Sequence, residues 1–251
     1  MQLRLIPLLV LTAGCGVQSG DSPFRETGEV IAFSGGRGRA QAACFTCHGV
    51  NGEGDGRATP RIAGADAGYL HRQLDDYATG RREHGAMREI ASQLDGDDRL
   101  KVSAYYASLP LPAPAQTATA GFAAAADQGE ARIAAIYQKG DPSRGLPSCA
   151  ECHGEKGEGR GAAYPALAGQ PTAYLERQLR AWREGRRHND PLGQMLAISR
   201  LLSHEEVQAL SVHAAALPGQ RLPEAPEASP AEHHADPRND ASGQPPHGAG
   251  S

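Results

Sequence analysis

Apolar residues along this chain recur at helical spacing, and no segment shows the strict alternation of apolar and polar positions that predicts a β-strand. One helix is predicted from about residue 67 to residue 79, with Asp66 as its candidate N-cap. One face of this helix would carry Leu70, Leu74 and Tyr77. The same stripe recurs later, at Leu175, Leu179 and Trp182. The pattern therefore predicts an all-α fold.

Further helices flank these two middle helices. They are predicted at about residues 28–34, 97–108, 129–138 and 204–216. Ser203 and Glu206 form a capping box at the start of the last one, because a serine and a glutamate three residues apart can each bond the other's backbone N–H. Each middle helix thus has a short helix before it and a closing helix after it.

This order occurs twice because the sequence is duplicated. Residues 44–82 align with residues 149–187 without a gap, at a constant offset of 105 positions. The identities include, in first-copy numbers, Gly49, Gly52, Glu53, Gly54, Pro60, Gly64, Tyr69, Arg72, Gln73, Arg81 and Arg82. The chain therefore holds two copies of one domain of roughly 85–90 residues. A domain this small buries little core by itself.

Each copy begins with the pattern C-x-x-C-H, the attachment sequence for c-type haem. The thiols are Cys44 and Cys47 in the first copy and Cys149 and Cys152 in the second, and the histidines are His48 and His153. Two thiols one helical turn apart can each form a thioether to a haem vinyl group, and the adjacent histidine can ligate the iron. The motifs thus predict two covalently attached haem c groups, which would complete the two small cores.

Two other uses of paired cysteines are weaker explanations. A four-thiolate zinc site would need spacers far shorter than the 105 residues between the two pairs, and zinc gives no reason for a histidine after both. A thioredoxin-like dithiol occurs in a βαβ context, and the sequence shows no strand pattern.

Met87 and Met195 are the candidate sixth ligands. After the initiator they are the methionines of the chain, one per copy, each after its haem motif and before the closing helix. A thioether ligand raises the reduction potential relative to a second histidine. Rival ligands are His84 and His188, which lie at nearly corresponding positions and are expected in solvent-facing loops beside paired arginines.

The two ends of the chain predict processing and disorder. Residues 1–15 resemble a lipoprotein signal peptide, with an apolar run that is too short for a membrane span and Cys15 as the lipid-bearing residue. Residues 111–128 are the predicted linker, and residues 219–251 the predicted disordered tail. The net charge of −4 gives no indication of nucleic-acid binding.

The two copies together resemble a known family. Five features are similar to class I cytochrome c domains: C-x-x-C-H-G, a G-x-G-x-G loop, a proline twelve residues after the histidine, a Y-L-x-R-Q-L helix and a later methionine. Two in tandem resemble the dihaem cytochrome c4 family. The resemblance implies domains at about residues 24–110 and 129–218 in a pseudo-two-fold arrangement. It also implies that the carbonyls of Pro60 and Pro165 accept the Nδ1–H of the two haem histidines.

The resemblance further implies a function. The protein would be a periplasmic electron carrier between a redox protein donor (a quinol-oxidising complex or a dehydrogenase) and a terminal oxidase or reductase, with no small-molecule substrate. The membrane tether follows from the predicted lipid on Cys15 and not from this resemblance. Arginines at 81, 82, 186 and 187 would either neutralise haem propionates or lie in solvent. Three alternatives remain open: a dihaem peroxidase-like or thiosulfate-oxidising enzyme, a cytochrome subunit of a larger oxidoreductase, and a haem-based gas sensor.

Overall fold

The structure is a computed structural model that describes residues 27–36, 40–111 and 127–219. Within these residues every regular element is helical, as the sequence predicts. The first copy contains helices α1 Gly28–Ser34, α2 Phe45–His48, α3 Ala67–Thr79, α4 Gly85–Gln93 and α5 Gly96–Ser108. The second contains α6 Asp127–Lys139, α7 Cys149–His153, α8 Thr172–Arg183, α9 Gln194–Leu201 and α10 His204–Ala216. The methionine-bearing helices α4 and α9 are additions to the sequence prediction.

Helix α3 begins and ends where the sequence predicts. The Asp66 carboxylate accepts the backbone N–H of Tyr69 at 2.9 Å, which confirms it as the N-cap. Gly80 ends the helix in the left-handed conformation with φ of 81°. The capping box of Ser203 and Glu206 at α10 is likewise present.

Each copy has its own hydrophobic core. In the first, α1 packs on α5, and α3 packs on both α4 and α5. Its buried core residues are Ile31, Ala32, Leu94, Val102 and Tyr106. In the second, α10 packs on α6 and α8, and α8 packs on α9. Its core includes Ile136, Tyr137, Leu175, Val207 and Leu210. Two separate cores agree with the prediction of two tandem domains.

Equivalent residues meet where the two domains touch. Arg82 and Arg187 form an antiparallel bridge, although they occupy the same position in the two copies. The Glu83 amide donates to the carbonyl of Arg186 at 3.0 Å, and the His188 amide donates to the carbonyl of Arg81 at 3.1 Å. Exchanging the two copies converts one bond into the other. The contact is therefore pseudo-two-fold, as the family resemblance implies.

Two further predictions concern regions beyond the described residues. Cys15 and its signal peptide lie outside them, as do most of the linker and the tail from residue 220 onward. In the part of the chain that the structure describes, every helix is too short or too polar to cross a membrane. The exact domain limits stay a prediction.

Candidate haem-binding sites

Each C-x-x-C-H motif forms a short helix of its own. The histidines at their ends, His48 and His153, are each 8% exposed. Burial lowers the pKa of both imidazoles, which keeps the rings neutral and able to ligate a metal. Burial also raises the pKa of the Cys44 and Cys149 thiols to about 11.

Each histidine is held by a proline carbonyl. Nδ1 of His48 lies 2.9 Å from the carbonyl oxygen of Pro60, and Nδ1 of His153 lies 2.8 Å from that of Pro165. A carbonyl can only accept, so Nδ1 carries the proton in both rings. Each Nε2 is then left unprotonated with its lone pair available for iron. The hydrogen bonds expected from the family resemblance are therefore present.

A glycine holds the backbone of each histidine from the other side. The amide of Gly54 donates to the carbonyl of His48 at 2.7 Å, and that of Gly159 donates to the carbonyl of His153 at 2.8 Å. Both glycines have φ of 80°. A Cβ would lie 2.6 Å from a backbone carbonyl oxygen at Gly54 and 2.5 Å from a backbone nitrogen at Gly159. The close approach explains why both copies have glycine here.

The two methionines lie in the first turns of α4 and α9. The Met87 amide donates to Nδ1 of His84 at 3.3 Å, whereas the Met195 amide donates to Oδ2 of Asp190 at 2.6 Å. His84 was expected to be a solvent-facing loop residue. It is exposed and precedes the helix, in agreement with that prediction, and it also caps α4 and lines the same cavity as Met87. Burial, followed by the nearby Arg177 and Arg82, lowers its pKa.

The donor groups of both copies line one cavity of about 1180 Å³. Each half presents two thiols, a neutral imidazole with an available Nε2 and a thioether. The rest of the lining is largely apolar, with Leu70 and Leu74 from α3 and Leu175 and Leu179 from α8. This donor set and lining fit a covalently attached haem in each half. Among the described residues, clusters of His, Cys, Asp and Glu that would suit a separate metal ion are absent.

The cavity extends through the domain contact, where two arginines are buried. Arg82 and Arg187 are 4% and 8% exposed, so a solvent-exposed role is wrong for this pair. Their guanidinium groups stack on Tyr77 at 4.7 Å and on Trp182 at 4.5 Å. Arg81 and Arg186, in contrast, are half exposed and pair with Asp76 and Glu184.

Both buried arginines share the same neutral partners. Each donates to the side-chain oxygens of Gln73 and Gln178, at 2.8 to 3.1 Å. Arg82 also donates to the Tyr174 hydroxyl at 2.9 Å. Sequence reasoning did not assign roles to the glutamines, although their identity between the two copies was a usable signal. Both arginines also line the cavity, so they remain candidates to neutralise haem propionates.

Comparison with known proteins agrees with this geometry. The family model described as Cytochrome c matches residues 35–110 and 122–213. The "Thiosulfate dehydrogenase electron acceptor" of Stutzerimonas stutzeri is 42% identical over 185 residues, 73% of this chain and 83% of the relative. Cytochrome c4 of Pseudomonas aeruginosa is 33% identical over 179 residues, 69% of this chain and 84% of the relative.

Two solved structures have the same fold. Thiosulfate dehydrogenase (TsdBA) from Marichromatium purpuratum superimposes with a TM-score of 0.67 at 38% identity, over 78% of this chain. The match spans 40% of the length of that longer chain. Reduced cytochrome c4 from Pseudomonas stutzeri gives a TM-score of 0.61 at 30% identity, over 69% of this chain and 93% of that one.

Family, fold and site chemistry lead to one conclusion. Two cytochrome c domains in tandem, as in dihaem cytochrome c4, carry two covalently bound haem c groups. Electron transfer is the activity that such domains share. The chain belongs to the cytochrome c family, as a dihaem electron carrier of the cytochrome c4 type.

Proposed function

We propose that this protein accepts electrons from a thiosulfate-oxidising dehydrogenase and passes them to a terminal oxidase or reductase. The observation that carries the carrier role is the duplicated site, in which a buried histidine bonded to a proline carbonyl shares a cavity with a methionine. The dehydrogenase as donor is supported by two relatives named as its electron acceptors, at 42% and 38% identity.

In each domain the cysteines would hold the haem, and the histidine and the methionine would ligate its iron. These are Cys44, Cys47, His48 and Met87 in the first domain and Cys149, Cys152, His153 and Met195 in the second. When bound, haem supplies reversible one-electron transfer. The proline bonds fix both imidazoles, so little rearrangement would accompany a change of charge. With a methionine at both sites, no position would remain for a substrate, which disfavours the peroxidase-like and gas-sensing alternatives.

The buried arginines at the domain contact would bind haem propionates. A guanidinium is always charged, and two of them are buried against neutral amide and hydroxyl groups. Such charges need compensation in a low-dielectric interior. Haem propionates would supply it, with Arg82 and Arg187 as the residues that bind them.

We place the protein in the periplasm, tethered to a membrane by a lipid on Cys15. The sequence of residues 1–15 supports this location, as does the use of every other cysteine in a haem motif. Mass spectrometry of the mature chain tests it. A diacylated N-terminal Cys15 is the expected result, whereas cleavage at another residue with no lipid would contradict the tether.

Reduction by the donor tests the function directly. The oxidised holoprotein is mixed with thiosulfate and a catalytic amount of thiosulfate dehydrogenase from Stutzerimonas stutzeri. Both haems should become reduced, while thiosulfate alone should reduce neither. Oxidised haems in the complete mixture, together with reduction of a dye acceptor by the same enzyme, would contradict the proposed donor.

A second candidate is a fixed cytochrome subunit of a larger oxidoreductase. It is favoured by the match to TsdBA, in which the equivalent of this chain is 40% of a longer one. Affinity purification from native membranes separates the two cases. A stoichiometric complex with a dehydrogenase would indicate a subunit, and a separate dihaem protein would indicate a mobile carrier.

A further inference from the structure

We propose that Asp190 is a positioning residue that holds Met195 and lowers the reduction potential of the second haem. The inference rests on the proposed function, because it takes Met195 to be the axial ligand. Its observation is independent of that assignment: the two domains hold their methionine helices with groups of different charge.

In the second domain, the loop before α9 folds around one carboxylate. Oδ2 of Asp190 accepts the amide of Met195 at 2.6 Å, and Oδ1 accepts the amide of Leu192 at 3.2 Å. The Asp190 carbonyl accepts the amide of Gly193 at 3.0 Å. These three bonds fix the path from residue 190 to the methionine. A carboxylate acceptor makes the stronger, charge-assisted type of hydrogen bond.

In the first domain, an imidazole is the acceptor for the methionine amide. Nδ1 of His84 accepts the amide of Met87 at 3.3 Å. The acceptor is uncharged when the ring is neutral, and the bond is longer than in the second domain. The loop is also shorter, because 39 positions separate His48 from Met87 whereas 42 separate His153 from Met195. The domains therefore differ at the methionine and agree at the histidine.

Among the residues that the structure describes, no cation pairs with the Asp190 carboxylate. Within the described parts of the chain, cationic side chains form ion pairs with other carboxylates and none with Asp190. The nearby Arg187 bonds the neighbouring Asn189 at 3.1 Å. Asp190 also lines the cavity shared with Met195. Asp190 is partly buried, so bulk water screens its charge less than that of a fully exposed carboxylate.

An acidic group also lies near the first site. Asp55 influences His48 electrostatically. Its carboxylate is exposed and accepts three backbone amides of its own turn, from residues 57, 58 and 59. Solvent screens an exposed charge of this kind. Asp190 differs because it bonds directly to the amide of the proposed ligand.

The sign of the effect separates a charge role from a purely structural one. A carboxylate near the iron stabilises the more positive ferric state, so it lowers the potential. Asp190→Asn keeps an oxygen that can accept the Met195 amide but removes the charge, so the potential should rise. Asp190→Ala removes the acceptor as well. It should loosen the thioether and allow carbon monoxide to bind the reduced protein.

Spectroelectrochemical titration of the full-length holoprotein tests the proposal. In Asp190→Asn, one of the two midpoint potentials should rise by up to about 59 mV. This shift corresponds to a change of about tenfold in the equilibrium constant of a one-electron reduction. The reciprocal variant His84→Asp puts a carboxylate in the first domain and should lower the other midpoint. His84→Asn, a neutral replacement, is the matched control and should move neither midpoint by a comparable amount.

Three outcomes are informative. A raised midpoint in Asp190→Asn with no carbon monoxide binding supports the charge role. Unchanged or lowered midpoints in that variant overturn it. Met195→Ala tests separately whether Met195 ligates the iron. If both midpoint potentials stay unchanged in this variant and it binds no carbon monoxide, Met195 is not a ligand. The proposed site then fails together with the inference.

Discussion

The two domains share the groups that hold the haem histidine and differ in the groups around the methionine. Both have a proline carbonyl at 2.8 to 2.9 Å from Nδ1 and a left-handed glycine bonded to the histidine carbonyl. The methionine amides, however, bond a histidine in one domain and an aspartate in the other. Duplication has thus kept the attachment geometry and changed the electrostatics, which can give one ligand set two potentials.

The closing helices differ in the same way. In the second domain Glu206 is 4% exposed and caps α10. Its Oε1 forms ion pairs with the guanidinium groups of Arg132 at 2.7 Å and Arg144 at 3.0 Å. In the first domain α5 is capped by Asp95, which accepts the amide of Asp98 at 2.8 Å. The closing helix of the second domain therefore begins at a buried, ion-paired carboxylate, whereas that of the first begins at an exposed one.

Removal of the thiols of one domain should have the largest effect. Cys149→Ala with Cys152→Ala should lower the intact mass by one haem and unfold much of that domain, since a domain of this size has little core without its cofactor. Mass spectrometry and circular dichroism measure both. The matching double variant at Cys44 and Cys47 should affect the first domain instead. Two haems retained in either variant would contradict the attachment sites.

Loss of a buried arginine should destabilise both domains. Arg82→Met or Arg187→Met leaves the shared glutamines with fewer donors, at a cost of roughly 2–4 kcal/mol. Denaturant titration with haem absorbance as the probe measures the change. Arg186→Met, at an ion pair with Glu184 in which both side chains are half exposed, is the control and should cost about 1 kcal/mol or less. Equal losses in all three variants would show that the contact is not a specific network.

Alanine at the histidine-binding glycine should cost more than alanine at a neighbouring left-handed glycine. Gly159 and Gly161 have φ of 80° and 59°, so both substitutions incur about 1 kcal/mol of backbone strain. At Gly159 the Cβ would also meet backbone at 2.5 Å, while at Gly161 it meets nothing within 4 Å. Thermal unfolding of Gly159→Ala and Gly161→Ala compares them. Similar melting temperatures would mean that the loop can shift to accommodate the Cβ at residue 159 at little cost.

Acid should weaken the second domain through Glu206. Burial alone would raise its pKa, but hydrogen bonds from Arg144, the Ser203 amide and Arg132 lower it from 4.5 to about 2. A depressed pKa in the folded state stabilises the protein above pH 4.5, and this contribution is lost as the pH falls towards 2. Glu206→Gln should cost on the order of 1 kcal/mol at pH 7.

The variant should also show a smaller further loss of stability between pH 5 and pH 3 than the wild type. Unfolding at a series of pH values measures this dependence. Parallel pH profiles for the two proteins would contradict the role of Glu206.

Local patterns predicted much of this structure. The 67–79 helix with its Asp66 cap and the capping box at Ser203 are present because caps and apolar stripes depend on nearby residues. Helices α4 and α9 were not predicted, since neither is preceded by Ser, Thr, Asp or Asn as N-cap: His84 caps α4, and α9 follows Gly193 with no side-chain cap. The burial of Arg82 depends on partners more than 90 positions away, such as Tyr174, and no local pattern contains that information.

Potentiometric titration of the purified full-length protein, with carbon monoxide added to the reduced form, tests the central claim most directly. Two closed His/Met sites predict two one-electron steps at positive potential and an unchanged spectrum with carbon monoxide. A haem that binds carbon monoxide readily, or that titrates at low potential, would contradict the claim, because it would show an iron to which Met87 or Met195 is not bound.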